Sequence, residues 1–333
     1  MTLFPSPKPP PSVWSVLLLL SPFFLWGTAM VAMKGVMPQT TPLFVAAVRL
    51  IPAGILVLIA AAYLGRNQQV SGKGWLWISL FALVDATLFQ GFLAEGLART
   101  GAGLGSVIID SQPLAVALMS HWLFQEVIGF WGWLGLGIGI LGISLIGLPD
   151  EWFYQLWQTQ SLAISGHWQD FFHSGEGLML LASLSMAMGT ILIRFVCREV
   201  DPVIATGWHM ILGGLPLLGL SLWGESQQWQ NIDFNGWLNL SYATIFGSAI
   251  AYGVFFFLAA KGNLTSLSAL TFLTPVFALS FGNLWLGEVL NLLQWGGVML
   301  TLISIYLINQ REKIGEQFKY IIMIIRRPVS SDS

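Results

Sequence analysis

The chain has 333 residues, of which 55% are hydrophobic and only 9% are charged, with a formal net charge of −2. A soluble domain carries about 25% charged residues, so this composition excludes a soluble globular protein and indicates a protein whose solvent is lipid. The net charge also excludes a basic nucleic-acid-binding protein, and the single cysteine, Cys197, excludes an intrachain disulfide.

Residues 1–12 are rich in proline and are predicted to form a disordered cytoplasmic tail. A membrane core about 30 Å thick is crossed by roughly 20 apolar residues in a helix. Ten stretches of this kind follow: 13–33, 42–64, 74–97, 102–124, 128–148, 176–196, 202–223, 236–260, 264–286 and 291–309. The aromatic-rich segment 149–175 is predicted to lie in the extracytoplasmic headgroup zone, and 310–333 to form a basic cytoplasmic tail.

The two halves of the chain, 13–148 and 176–309, are related by an internal repeat. Residues 74–147 match residues 236–309 without a gap at a constant offset of 162, and the preceding helix pairs match at an offset of 160. Since each unit holds five helices, an odd number, the two units are predicted to insert with opposite orientation. The sequence thus predicts an all-α membrane protein with ten transmembrane helices in two inverted five-helix repeats, an architecture that suits alternating access to a midplane site.

The placement of lysine and arginine predicts the orientation of the helices, because cytoplasmic loops are enriched in these residues. With the N-terminus inside, inner loops and tails would hold eleven lysines and arginines, and the outer ends only Lys34 and Arg99. Both termini are therefore predicted to be cytoplasmic, in a multi-pass protein of the cytoplasmic (plasma) membrane.

Four short motifs carry a family resemblance: Phe24-Leu25-Trp26-Gly27 with Lys34, Ala46-Ala47-Val48-Arg49, Pro113 with Glu126, and Pro275 with Gly287-Glu288. With these motifs the sequence resembles the drug/metabolite transporter superfamily, specifically proteins with two EamA domains, over about 13–309. The resemblance implies secondary transport of amino acids, other metabolites or drug-like compounds, mostly export by alternating access and in some members by proton exchange. The second repeat departs from the family pattern, since Met186 replaces the first-helix tryptophan and His209 the second-helix arginine.

Two aspartates, Asp85 and Asp110, are predicted to lie near the bilayer centre, and the repeat has Gly247 and Phe272 in their places. A carboxylate there costs about 2.5–3.5 kcal/mol on insertion scales, so it is rarely tolerated without a role. A carboxyl that moves between dry and charged surroundings can couple proton flow to transport. The alternative is a neutral carboxyl hydrogen-bonded inside the bundle, for which three partners are at hand: Ser111, Gln112 and Gln90.

Arg49 lies in the outer half of its helix and stays protonated, so it needs water, a carboxylate or a substrate anion. One hypothesis pairs it with Asp110 or Asp85, and the other has it bind a substrate carboxylate or phosphate. Histidine is the residue type that can change its charge near neutral pH, so His209, which aligns with Arg49, is a candidate coupling residue. It is also explained by an ordinary hydrogen bond within the bundle.

Other polar and aromatic residues inside the spans are candidates for contact with a solute. Trp26 either forms a wall for an apolar substrate or packs in the bundle. Gln90, Gln112, Tyr252 and Asn283 either line a pore or bond between helices.

The leading hypothesis is a secondary active exporter of a small organic solute, with protons as a candidate coupling ion and a homodimer as a candidate assembly. A passive channel and a membrane sensor are the alternatives. A membrane-embedded aspartyl enzyme is disfavoured because its YD and GxGD contexts are missing: Asp85 follows Val84, and Asp110 follows Ile109. The HExxH and GxxxxGK[ST] motifs are absent, and nothing in the sequence requires a metal, a nucleotide or another cofactor.

Overall fold

The computed structural model describes residues 13–99, 108–147, 174–286 and 291–325. Within these ranges every regular element is a helix and no strand occurs, which confirms the all-α class. The predicted tail 1–12 lies outside the described residues, as do nearly all of the segment 149–175 and the last residues of the tail 310–333.

In the described part of the first repeat the helices are α1 (Val13–Val36), α2 (Pro42–Tyr63), α3 (Gly72–Arg99), α4 (Gln112–Phe124) and α5 (Gly129–Gly147). Helix α3 is not uniform: it is α-helical over Gly72–Phe81, π-helical over Ala82–Leu88 and α-helical again over Phe89–Arg99. A π-helical segment adds one residue to each hydrogen-bonded turn and often occurs at functional sites.

In the described part of the second repeat the helices are α6 (Gly175–Val196), α7 (Pro202–Gly224), α8 (Phe234–Lys261), α9 (Leu264–Ala269 and Leu273–Leu286, joined by the 3₁₀ residues Leu270–Phe272) and α10 (Leu292–Ile325). Helix α8 repeats the irregularity of α3, with a π-helical segment over Ala243–Ile250. The two π-helical segments occupy corresponding positions of the 162-residue repeat.

Corresponding helices also begin with similar chemistry. A proline, Pro42 or Pro202, is the first residue of α2 and of α7, where the missing N–H has no helical partner to lose. Ser71 caps α3 by accepting the Gly74 N–H at 3.0 Å. Asp233 caps α8 in the same way, by accepting a backbone N–H three residues on at 2.6 Å. Local signals therefore set the starts of these helices in both repeats.

Among the described residues, seven helices are long and apolar enough to cross a membrane: α1, α2, α3, α6, α7, α8 and α10. Shorter apolar helices span Gly129–Leu145 and Leu264–Ala278. These helices agree with a multi-pass membrane protein, while the count of ten spans and the inverted orientation stay predictions. Helix α10 differs from its predicted bounds, because it continues past residue 309 to Ile325.

Helices of each repeat pack against helices of the other repeat. Helix α1 packs against α8 and α9, and its counterpart α6 packs against α3 and α4. Helix α2 lies along α7, and α5 lies along α10. In addition, α7 contacts the π-helical segment of α3, while α2 contacts that of α8. These crossed contacts bring the candidate residues of both repeats into one region.

Candidate functional site

The π-helical segment of α3 places Asp85 against His209 of α7. Nε2 of His209 lies 3.2 Å from Oδ2 of Asp85, and both side chains are no more than 1% exposed. The imidazole stacks on Phe81 with ring centroids 4.2 Å apart and meets the edge of Phe256 at 5.5 Å. An acid and a base of neighbouring helices thus face each other inside an aromatic enclosure.

The contacts of the two ring nitrogens of His209 indicate where protons can lie in this pair. Its Nδ1 lies 2.6 Å from the Thr206 carbonyl oxygen, which only accepts, so Nδ1 carries a hydrogen. The Nε2–Asp85 contact is then favourable only with a second proton between the two groups, either on the imidazole or on the carboxyl. Among the described residues neither carboxylate oxygen of Asp85 accepts a hydrogen bond. The geometry therefore suits a pair that shares one dissociable proton.

Gly189 of α6 makes room for the Asp85 side chain. A Cβ built on Gly189 would overlap the carboxylate. The second repeat shows the reverse arrangement, in which Gly247 stands in place of Asp85 and Ala29 of α1 in place of Gly189. There the Ala29 methyl group occupies the space that a Cβ at Gly247 would need.

Arg49 of α2 is the centre of a second buried polar group. Its Nη2 donates to Oε1 of Gln90 at 2.8 Å, and its Nη1 lies 2.9 Å from the Met33 sulfur. Nε2 of Gln90 donates in turn to the Tyr252 hydroxyl at 2.8 Å. Arg49 is 6% exposed, its Nε has no acceptor, and in the described part of the chain no carboxylate forms an ion pair with it. The expected pairing of Arg49 with Asp85 or Asp110 is therefore not found, because Asp85 faces His209 instead.

Trp26 of α1 extends this group with an aromatic wall. Its ring centroid lies 5.1 Å from those of Tyr252 and Phe255, and 5.8 Å from that of Phe23. The indole Nε1 is buried and has no acceptor among the described residues. Both expectations for Trp26 are thus compatible with its position, since it packs in the bundle and still presents an unused donor.

Asp110 is buried in the turn before α4. The residues on either side of it, Ile109 and Ser111, contact Ser183 of α6. Gln112 donates to the Thr190 hydroxyl at 3.1 Å, and its Oε1 has no donor among the described residues. The Asn283 side chain lies outside the described part of the structure.

The remaining features do not suggest a metal or a thiol site. No group of three or more metal-ligating side chains occurs in the described residues. Burial raises the pKa of the Cys197 thiol, at the end of α6, to about 12, so it stays protonated at neutral pH. An apolar cavity of about 190 Å³ between α2 and α7 is lined by Ala47, Val48, Ile51, Pro52 and Leu218, and contains none of the candidate residues.

Sequence reasoning did not select Gly189, which contacts Asp85, or Met33, which contacts Arg49. A signal for Gly189 is present in the repeat, because it aligns with Ala29 at the offset of 160 and is the smaller of the two. A smaller residue in the repeat that carries the extra aspartate indicates space made for a side chain.

The chain matches the EamA-like transporter family over residues 13–148 and 173–310. It belongs to the EamA family. Within this family it is similar to an uncharacterized transporter of Synechocystis sp., with 68% identity over 321 residues that cover 96% of this chain and 97% of that protein. A WAT1-related chloroplastic protein of Arabidopsis thaliana is 51% identical over 300 residues, which cover 89% of this chain and 69% of that protein.

The comparison extends to a more distant sequence and to a solved structure. An uncharacterized transporter of Bacillus subtilis is 27% identical over 307 residues, which cover 91% of this chain and 94% of its own. One crystal structure superposes with a TM-score of 0.73 at 14% identity, covering 89% of this EamA protein and 96% of the other chain. The predicted family is thus confirmed, and the chain is a membrane protein of a transporter family.

Proposed function

We propose that this EamA protein is a secondary active exporter of a small organic solute that works by alternating access and is coupled to proton flow. The observation that carries the proposal is the buried contact between Asp85 of α3 and His209 of α7, an acid and a base placed to share one dissociable proton between two helices predicted to cross the membrane. Family membership and the internal repeat support transport over the channel, sensor and enzyme alternatives.

The proton supplies a physical link between pH and conformation. A proton placed between the two groups would hold α3 and α7 together through a charged or neutral hydrogen bond. Without it, a buried carboxylate faces the lone pair of a neutral imidazole, and an unpaired buried charge is strongly unfavourable. Loss of the proton therefore favours a conformation in which Asp85 reaches water. Because α7 also packs along α2, and α3 also packs on α6, this change would move helices of both repeats.

The test begins with the wild-type protein in detergent. Amino acids, organic acids, sugar phosphates and amphipathic amines are screened for a saturable rise in melting temperature at pH 5.5 and 7.5, because a ligand of the folded state stabilises it. Compounds that bind are then used in radiolabelled form in proteoliposomes. Wild-type protein is expected to show counterflow, and flux that an imposed pH gradient accelerates.

The decisive variant is Asp85→Asn, which keeps the side-chain volume and removes the dissociable proton. We expect proton-driven flux to fall at least tenfold, while counterflow at equal pH persists. Asp110→Asn is the matched control, since Asp110 is also a buried acid whereas the carboxylate beside His209 is that of Asp85, and it is expected to keep its pH response. Proton-driven flux that survives Asp85→Asn would contradict the proposal, and its loss in Asp110→Asn alone would move the coupling to Asp110. Flux that neither saturates nor shows counterflow would favour a channel.

A further inference from the structure

Arg49 is a buried cation without an internal counterion among the described residues. We infer that the solute is a small organic anion and that Arg49 binds its carboxylate or phosphate group. The inference deepens the proposed function and rests on it, because it names the chemical class of the transported solute.

The first step is the relation between the two repeats. On one side, α7 contacts the π-helical segment of α3, and His209 finds Asp85 there. On the other side, α2 contacts the π-helical segment of α8. Here Arg49 takes the place of His209, and Gly247 takes the place of Asp85. Among the described residues, a carboxylate therefore lies against the weaker base, His209, and none lies against the permanent cation, Arg49.

The second step is the state of the guanidinium. Its acceptors among the described residues are a neutral amide, on Gln90, and a thioether, on Met33, which is a weak acceptor. In the described part of the chain its Nε has no acceptor and no carboxylate pairs with it. A charge that is 6% exposed and has no counterion is strongly unfavourable. A carboxylate or phosphate would remove that cost, since these groups form charge-assisted hydrogen bonds with a guanidinium.

The third step concerns the rest of the solute. Trp26 and Met33 are seven residues apart in α1, so they share one face of the helix. Trp26 contacts Tyr252, and Tyr252 is linked through Gln90 to Arg49. The indole donor of Trp26 is unused among the described residues. The cation and the aromatic wall are thus parts of one connected group, which fits an anion with an apolar or aromatic body.

The two repeats also supply the design of the test. The double variant Ala29→Gly/Gly247→Asp copies the Gly189–Asp85 pair into the second repeat and so offers Arg49 an internal carboxylate. The single variant Ala29→Gly is the matched control, because it opens the same space without adding a charge. Gly247 alone is not changed, since a Cβ there would overlap Ala29.

Binding is measured by thermal shift and by isothermal titration in detergent, with no pH gradient. The probes are 3-phenylpropionate, phenyl phosphate and the neutral 3-phenylpropionamide. Wild-type protein and Ala29→Gly are expected to bind at least one anion in a saturable manner and to bind the amide at least tenfold more weakly. The anion that binds distinguishes a carboxylate from a phosphate solute. The double variant and Arg49→Gln are expected to lose anion binding at least tenfold.

A second readout needs no ligand. Without any probe, the double variant is expected to melt at a higher temperature than Ala29→Gly, because its new carboxylate neutralises Arg49. Equal binding of the amide and the anions would overturn the inference, and so would anion binding that the double variant retains. An unchanged or lower melting temperature of the folded double variant would show that Arg49 already has a counterion in the wild-type protein. Asp85→Asn should still bind the anion, so failure of proton coupling and failure of anion binding are separate results.

Discussion

The two π-helical segments, 82–88 and 243–250, show what the repeat shares and what it does not. Both lie at the same place in the third helix of a repeat, and each contacts the first and second helices of the other repeat. One segment carries Asp85, and the other carries Gly247 at the corresponding position. Because the irregular backbone is present without the charge, it belongs to the architecture. The acid is an addition to one copy, and it requires a histidine and a glycine around it.

The largest effect on stability is expected for Gly189→Ala. This substitution in α6 gives the first repeat the alanine that the second repeat has at the matching position. The new methyl group would overlap the buried Asp85 carboxylate and push it away from His209. Overpacking of this kind costs about 1–3 kcal/mol, and we expect a value near the upper end, measured as a lower melting temperature in detergent. The control is Gly253→Ala in α8, where a Cβ meets nothing within 4 Å. This variant should keep or slightly raise the melting temperature, because alanine favours a helix more than glycine does.

A rescue variant sharpens the same comparison. Asp85→Gly in the Gly189→Ala background gives the first repeat the Gly247–Ala29 arrangement of the second. We expect most of the lost stability to return, without return of proton-driven flux. A double variant as unstable as Gly189→Ala would show that the carboxylate contact is not the source of the loss.

The next largest effect on stability is expected at the two ends of the α2–α7 pair. The first turn of α2 is capped by a carboxylate that follows the other helix, and the first turn of α7 by a carboxylate that directly precedes it. Glu225, after the end of α7, crosses to α2 and accepts from the Thr41 hydroxyl at 2.7 Å and from two backbone N–H groups of the first turn at 2.9 and 3.1 Å. Asp201 caps its own helix through the Val203 N–H at 2.9 Å and pairs with Arg66 at 2.6 Å.

Replacement of Glu225 by alanine should lower the free energy of unfolding by about 2 kcal/mol, because a partly buried cap and a link between two helices are lost together. Replacement of Asp201 by alanine should lower it by about 1 kcal/mol, since its ion pair is partly exposed and contributes little. Chemical denaturation of the two variants side by side measures the difference. Equal losses would mean that the crossing contact adds nothing to an ordinary cap.

The smallest effect is expected at the caps of α3 and α8, which occupy the same repeat position. Ser71→Ala should cost about 0.5 kcal/mol and Asp233→Ala about 1 kcal/mol, because the charged cap also interacts with the helix dipole. The gap between the two variants should narrow in high salt, which screens the exposed Asp233 charge. A gap that does not respond to salt would assign the difference to hydrogen bonding alone.

Much of the fold follows from local sequence signals. Pro42 and Pro202 mark the starts of α2 and α7, and the predicted stretches 42–64 and 202–223 agree with the observed helices to within a residue. The end of α10 does not follow from hydropathy, because a helix that leaves the apolar layer can continue with charged residues. The π-helical segments have no composition signal of their own.

The residues of the site could be predicted from the sequence, but the contacts between them could not. Asp85, His209 and Arg49 stand out because each is polar inside an apolar stretch. Asp85 also has a glycine at the matching position of the second repeat, and His209 and Arg49 are unlike residues at matching positions. Hydropathy gives the depth of a residue in the membrane, but it does not say which helices face each other. The contact of α3 with α7 therefore could not be derived, and Asp110 could not be separated from Asp85. In retrospect the paired departures from the repeat, Asp85 for Gly247 and His209 for Arg49, point to a mutual contact.

A proton shared by Asp85 and His209 also has an electrical consequence. One shared proton corresponds to an exchange in which one proton enters for each solute molecule that leaves. If the solute is a monoanion, two elementary charges cross the membrane in each cycle, because a positive charge moves inward and a negative charge outward. Each charge is driven by about 2.3 kcal/mol per 100 mV, so the membrane voltage would contribute roughly twice that energy to export, even where the pH is equal on both sides.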